Sequence, residues 1–173
     1  MLPCLVLLAV AAPEPGLTLP RFALEDARGR AFTDEALRGR SAVVVVTAPT
    51  VSQGDAQQGW SRALDVLDWP ADGPSYFWIE DLSQSWFKSV ALGEIRAKYD
   101  PPPWFLIDAT GEVRRSLGVP ADATAVLVFD RHAVLRLVEL APPSPARGRA
   151  IWKQALELMG LPASVKLDAG VAR

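Results

Sequence analysis

Cysteine is almost absent from this 173-residue chain: Cys4, inside the first apolar run, is the sole one. The thiolate is the form of cysteine that attacks peroxides and disulfides and binds soft metals, so residues 13–173 hold no group for that chemistry and can form no disulfide. Histidine is as scarce, with His132 alone. That leaves carboxylates as the remaining metal ligands, and Glu80, Asp81, Asp108 and Asp130 show no ligand spacing. They read as caps and strand-end turns, with Asp108 and Asp130 at one edge of a sheet. No metal or other cofactor is expected. Excess charge is lacking too: 18 Lys and Arg oppose 20 Asp and Glu, which gives no footprint for nucleic acid. The densest basic spots, Arg114-Arg115 and Arg147/Arg149, read as solvated helix faces. The apolar run at 5–10 is too short to span a bilayer, so no transmembrane segment is expected.

What is present is apolar and well punctuated. Half the residues are hydrophobic and 22% are charged, which argues against extensive disorder and for one domain with a full core. Residues 1–12, MLPCLVLLAVAA, combine an apolar stretch with small residues at Ala9, Ala11 and Ala12, as in a secretory signal peptide. The basic n-region is missing and the run is short, as a start site placed too late would leave it; the competing reading is an apolar N-terminal strand. We read it as an export signal, which implies a periplasmic or secreted protein. Met-Leu-Pro before Cys4 is a poor lipobox, so no lipid anchor is expected there.

The elements follow in a recognisable order. Phe22 and Leu24 alternate before a turn at Ala27-Arg28-Gly29. Thr33 is placed to cap a helical turn that ends at Gly39. The run Val43, Val44, Val45, Val46 marks a strand buried on both faces of a parallel sheet. A helix is expected over 55–67, with Trp60, Leu64 and Leu67 on one stripe. Further expectations are a strand at 75–80, a helix at 83–98 stopped by Pro101-Pro102-Pro103, a strand at 104–107 ending at Asp108, and a short helix at 111–117. A hairpin of 124–129 and 134–138 turns over Asp130-Arg131-His132-Ala133, and a last helix covers 147–158. The alternation indicates an α/β (α+β) fold: a central mixed sheet with helices on both faces. Residues 17–160 form the domain and 161–173 a loosely ordered tail.

Two stretches carry a family resemblance. LPRFALEDARGRAFTDEALRGRSAVVVV resembles the opening of thioredoxin-fold redoxins, especially peroxiredoxins of the alkyl-hydroperoxide type, and FLIDATGEVRRSLGVPADATAVLVFDRHAVLRLV resembles their second half. Together they cover 17 to about 158. Within that superfamily, PWFLIDATGEV…ATAVLVFDRHAVLRL is similar to the exported, cysteine-free YtfJ-like proteins. The resemblance implies a thioredoxin-like fold with its active loop at Thr47, Ala48, Pro49, Thr50, Val51, Ser52, Gln53 and Gly54. Thr47 or Thr50 would stand for the peroxidatic threonine. The C-x-x-C of thioredoxins aligns with Val51-Ser52-Gln53-Gly54, which holds no cysteine. Thr124 falls where a peroxiredoxin carries its arginine and a thioredoxin its cis-proline. Three losses leave a vestigial site and no catalytic residue.

Ser52 as a substitute nucleophile would need a general base and an oxyanion site, and His132 sits in a hairpin turn. Ser52 therefore reads as a loop or N-cap residue. Of the six tryptophans, Trp78 and Trp104 read as core strand residues, and Trp86 and Trp152 as helix stripes. Trp60 and Trp69 flank the first helix and are candidates for anchoring a partner, with core packing as the alternative. The resulting expectation is a non-catalytic binding or scaffolding module that takes a protein or peptide partner in the envelope. The alternatives are a thiol or peroxide oxidoreductase working with an external thiol, and a cysteine-independent activity.

Overall fold

The valine run lies within strand β3 (Ala42–Thr47), where every residue is buried. Successive side chains of a strand point to opposite faces, and both faces here are covered. Val44 and Val46 join a core cluster with Leu37, Phe77, Leu106, Val113 and Leu117. Val43 and Val45 join a second cluster with Trp60, Leu64, Trp78, Ile151 and Trp152. Each fully buried valine contributes about 1.5–3 kcal/mol, so this strand is the centre of both cores.

The computed structural model describes residues 12–26, 28–83, 85 and 104–162. The other strands are β1 (Ala23–Asp26), β2 (Ala31–Thr33), β4 (Ser75–Asp81), β5 (Trp104–Asp108), β6 (Ala125–Phe129) and β7 (Leu135–Glu139). They form one mixed sheet in the order β2-β1-β5-β4-β3-β6-β7. β3, β4 and β5 run parallel, and β6 is antiparallel to β3 with Val46 opposite Ala125. Helices α1 (Val51–Leu64) and α3 (Pro145–Glu157) cover one face, and the short α2 (Glu112–Ser116) lies on the other. α1 and α3 cross closely at Gly148, where an added Cβ would come within 2.4 Å of the Ala63 carbonyl oxygen.

The expected fold class holds, and so do the strands and the terminal hairpin. The helix expected at 83–98 and the tail beyond Pro162 lie outside the described residues, as do residues 1–11 of the expected signal peptide. Three expectations are corrected. α1 begins at Val51, four residues before the expected start, with Thr50 extended as its N-cap residue. The turn after Thr33 is a 3-10 turn (Asp34–Leu37), and the Thr33 side chain makes no capping bond. Asp108 and Asp130 do not share an edge: β5 runs parallel to β3 and β6 runs against it, so their C-terminal residues lie at opposite ends of the sheet.

Three buried aspartates organise the turns. The Asp26 carboxylate accepts the Arg28 and Arg30 amides, each at 2.8 Å, and the Arg30 Nε at 2.6 Å. Asp34 accepts the Phe22 amide at 3.4 Å and the Arg38 guanidinium at 2.8 Å. Asp130 accepts the His132 and Val134 amides at 2.8 and 3.0 Å and Arg136 Nε at 2.7 Å. The last set explains how buried Ala133 holds a φ of 59° in the hairpin turn, a conformation unusual for a residue other than glycine, asparagine or aspartate.

In each aspartate burial alone would raise the carboxyl pKa. Backbone amides and the neighbouring arginine outweigh that and bring it below the ordinary value. A carboxyl with a depressed folded-state pKa stabilises the fold above its unfolded pKa, about 3.9, and the benefit fades as pH falls through the lower folded value. Urea-unfolding midpoints should therefore be flat from about pH 7 to 5 and drop below about pH 4. Asp130→Asn should lower stability at pH 7 and shrink the acid-induced drop; an unchanged pH profile would show that the carboxylate does not hold the turn.

Candidate binding face at the loop after β3

The C-terminal end of β3 delivers Thr47 and Ala48 to the start of α1, and the antiparallel β6 brings Thr124 alongside. The two threonine hydroxyls lie 3.2 Å apart. Between them and the helix stands Gln53, only 1% exposed. Its Oε1 accepts the Ala48 amide at 3.1 Å and the Thr124 hydroxyl at 3.3 Å, and its Nε2 donates to the Ala121 carbonyl at 2.8 Å. A hydroxyl has one proton; with that of Thr124 directed at Gln53, Thr47 is the donor in the threonine pair. Thr47, Gln53 and Thr124 thus form a closed, buried polar knot.

The 118–124 loop is held from its other side by Arg114. The short α2 begins where the Asp108 carboxylate accepts the Glu112 and Arg114 amides, each at 3.1 Å. That start aims the Arg114 side chain under the loop. Its Nε donates to the Pro120 carbonyl at 3.2 Å, its Nη2 bonds the Pro120 and Ala123 carbonyls, and its Nε stands 3.9 Å from Asp81. Arg114 is 2% exposed, and its Nη1 has no hydrogen-bond partner. Burial pulls its pKa down, while Asp81, Glu80, Asp122 and Asp108 pull it up without fully compensating. The expectation of a solvated face therefore fails at Arg114, because the helix carrying it is short and packs it inward. On the opposite face of the sheet, buried Glu80 accepts a 2.9 Å bond from Gln57 of α1.

The remaining loop residues form the outer surface. Val51 is fully exposed at the first turn of α1, Ser52 and Gly54 are exposed, and Pro49 and Thr50 are half-buried. Exposed Ala121 and Asp122 belong to the loop tied down beneath them. Ser52 Oγ lies 3.1 Å from Thr50 Oγ1, and Thr50 is the N-cap residue, so the expected capping role of Ser52 is not observed. His132 follows the far end of β6 and accepts a 3.2 Å bond from Arg131, out of reach of Ser52. Among the described residues no set of three His, Cys, Asp or Glu side chains is placed to hold a metal ion.

The proposed tryptophan pair does not form on this surface. Trp60 is completely buried in the core shared by α1 and the sheet. Trp69, beyond the far end of α1, stacks on Tyr76 with ring centroids 4.7 Å apart and donates to the Leu64 carbonyl at 3.0 Å. Helical stripe spacing put Trp60 inward because that face meets the sheet. Sequence pattern does not reveal the roles of Gln53 and Arg114. Thr50-Val51-Ser52-Gln53 fits the capping-box pattern, which places a helix start at Val51, yet Thr50 makes no side-chain cap bond and Gln53 reaches the Ala48 amide instead.

The chain has a thioredoxin-like fold, and residues 47–54 at the end of β3 hold no cysteine. A thiol:disulfide interchange protein of the thioredoxin family from Chlorobium tepidum superposes with a TM-score of 0.57 at 20% identity, covering 84% of this chain and 98% of that one. StoA from Bacillus subtilis gives 0.58 at 11% identity, covering 77% and 96%. Copper-bound ScoI from Bradyrhizobium japonicum gives 0.58 at 16% identity, covering 81% and 100%. No family model matches the chain, and no curated protein sequence does. No described helix is long and apolar enough to cross a membrane.

Gln53→Ala should strand the Ala48 amide and the Ala121 carbonyl and lower stability by about 2 kcal/mol, with faster hydrogen exchange at the Ala48 amide. Exchange at wild-type rates would show that the knot does not hold the loop. Arg114→Met leaves two carbonyls and Asp81 without their cation and should cost about 3–5 kcal/mol, read from urea unfolding. Arg114→Lys should not restore that stability, because a lysine lacks the planar fork.

Proposed function

We propose that this protein is a non-catalytic, exported thioredoxin-fold module that holds a protein or peptide partner against the outer face of residues 49–54 and 121–122. One observation carries the reading. The polar groups at the old reactive position are spent on one another through Gln53, while Val51, an apolar side chain, stands fully exposed at the tip above them. A hydroxyl that donates to a neutral amide or another hydroxyl has no base to activate it. Val51 follows half-buried Pro49 and Thr50 in the chain, and a partner seated on this tip would remove its exposed apolar side chain from water. The N-terminal run supports export, which places the partner in the envelope or outside the cell.

A second reading follows from the names of the structural neighbours, two of which concern thiol:disulfide interchange and bound copper. Thiol chemistry on this chain would need its sulfur from Cys4 or from a partner, since residues 13–173 have none. The single measurement that separates the readings is capture of partners from native envelope extract by the tagged full chain. The expected outcome is a reproducible partner whose affinity falls about tenfold or more in Val51→Glu, matching a truncated interface anchor, with unchanged circular dichroism. Capture undiminished by Val51→Glu, or peroxide or disulfide turnover by the chain with Cys4→Ser, would overturn the proposal.

A further inference from the structure

Away from the loop, on the face covered by α1 and α3, aromatic rings stand in a continuous series. Trp69 stacks on Tyr76 at 4.7 Å with planes 9° apart. Tyr76 meets Trp78 edge-on at 6.4 Å, and Trp78 stacks on Phe105 at 5.6 Å. Trp78 is completely buried, Tyr76 is 8% exposed, and Trp69 is half-buried. A hydrogen-bond line runs beside the rings. Trp78 Nε1 donates to Tyr76 Oη at 2.7 Å, and Tyr76 Oη donates to Asp65 Oδ1 at 2.8 Å. Asp65, the C-cap residue of α1, is exposed to solvent.

Apolar packing accounts for the stacks. A phenylalanine at 76 would fill the same space but leave the buried Trp78 N–H without its acceptor; the phenol satisfies that donor and also links it to a solvent-facing carboxylate. A phenol in contact with two indoles and bonded to a proton acceptor has the parts of a proton-coupled electron donor. The acceptor is open to water, so a proton delivered to it can leave.

We propose that Trp69, Tyr76, Trp78 and Asp65 form a relay that passes an oxidising equivalent from the indoles to Tyr76 and delivers the phenol's proton to solvent. Its oxidant is a diffusible one-electron oxidant of the peroxide-derived radical class. That species takes one electron from Trp78 or Trp69 and is reduced by it, leaving an indole radical cation. The indole regains its electron from Tyr76. The Tyr76 O–H bond breaks in the same step, and its proton forms an O–H bond at Asp65 Oδ1. The products are the restored indole, a neutral phenoxyl radical at Tyr76 and a carboxylic acid at Asp65 that releases its proton to water. A small reductant such as ascorbate then returns one hydrogen atom to the phenoxyl. Residues 13–173 hold no thiol to take this role.

The test is flash-quench oxidation of the full chain with photogenerated ruthenium(III) tris-bipyridine, followed by transient absorption. Tyr99, the second tyrosine, is replaced by phenylalanine throughout so that a phenoxyl signal reports Tyr76. The indole radical-cation band should decay as the phenoxyl band rises. Tyr76→Phe should abolish the phenoxyl and lengthen the radical-cation lifetime. Asp65→Asn, a change at an exposed position that leaves the rings in place, should slow phenoxyl formation by roughly tenfold. Water competes with an exposed acceptor, so the effect falls below the hundredfold of a positioned proton acceptor. Equal rates in Asp65→Asn, or no phenoxyl in the parent, would overturn the relay even if Tyr76→Phe failed to fold.

Discussion

Two-sided burial of β3 is the constraint on which the rest of this structure depends. A strand of β-branched residues cannot expose either face without losing stabilisation on the order of several kcal/mol. A helical layer must therefore cover each side, and the chain must cross from one face to the other. α1 follows β3 directly and covers one face, α2 lies on the other, and β6 pairs antiparallel beside β3. The end of β3 is consequently the point where a loop, a helix start and a neighbouring strand's beginning converge.

What occupies that point is a polar lock. Gln53 and Arg114 come from helices on opposite faces of the sheet, and each bonds carbonyls of the same 118–124 loop. Both side chains are buried and bond carbonyls of that loop, while the buried Arg114 Nη1 is left without a hydrogen-bond partner. Arg114 carries an electrostatic tension of its own: burial depresses its pKa while four carboxylates nearby oppose that. Buried ion networks add little net stability compared with apolar packing, yet they are costly to break. The lock therefore gives the loop one position and leaves Val51 as the feature the surface presents.

Much of this was legible in the residues and some was not. The valine run, the alternation of strands and helices, and the hairpin at 125–139 follow from periodicity and turn chemistry, which are local. α1 starts ahead of the pattern's expectation: Gly54 disfavours helix, while the buried bonds of Gln53 hold the first turn. Arg114 departs from the pattern because arginine beside arginine on a short helix ordinarily faces water. Its true environment is made by Asp81, Pro120 and Ala123, which come from distant parts of the chain. The same holds for Asp108 and Asp130, whose equivalence as strand-end residues hides the opposite directions of their strands.

By itself the sequence determined that residues 13–173 carry no thiol, that one strand must be buried on both faces, and that the chain folds as alternating strands and helices. Those facts reside in residue identity and spacing. Only the tertiary structure decided that Gln53 fills the site, that Arg114 is buried, that Trp60 is core, and that Trp69, Tyr76 and Trp78 form one series. Each of those depends on side chains meeting across the sheet and the helix layers, and no local pattern records which distant residues will meet.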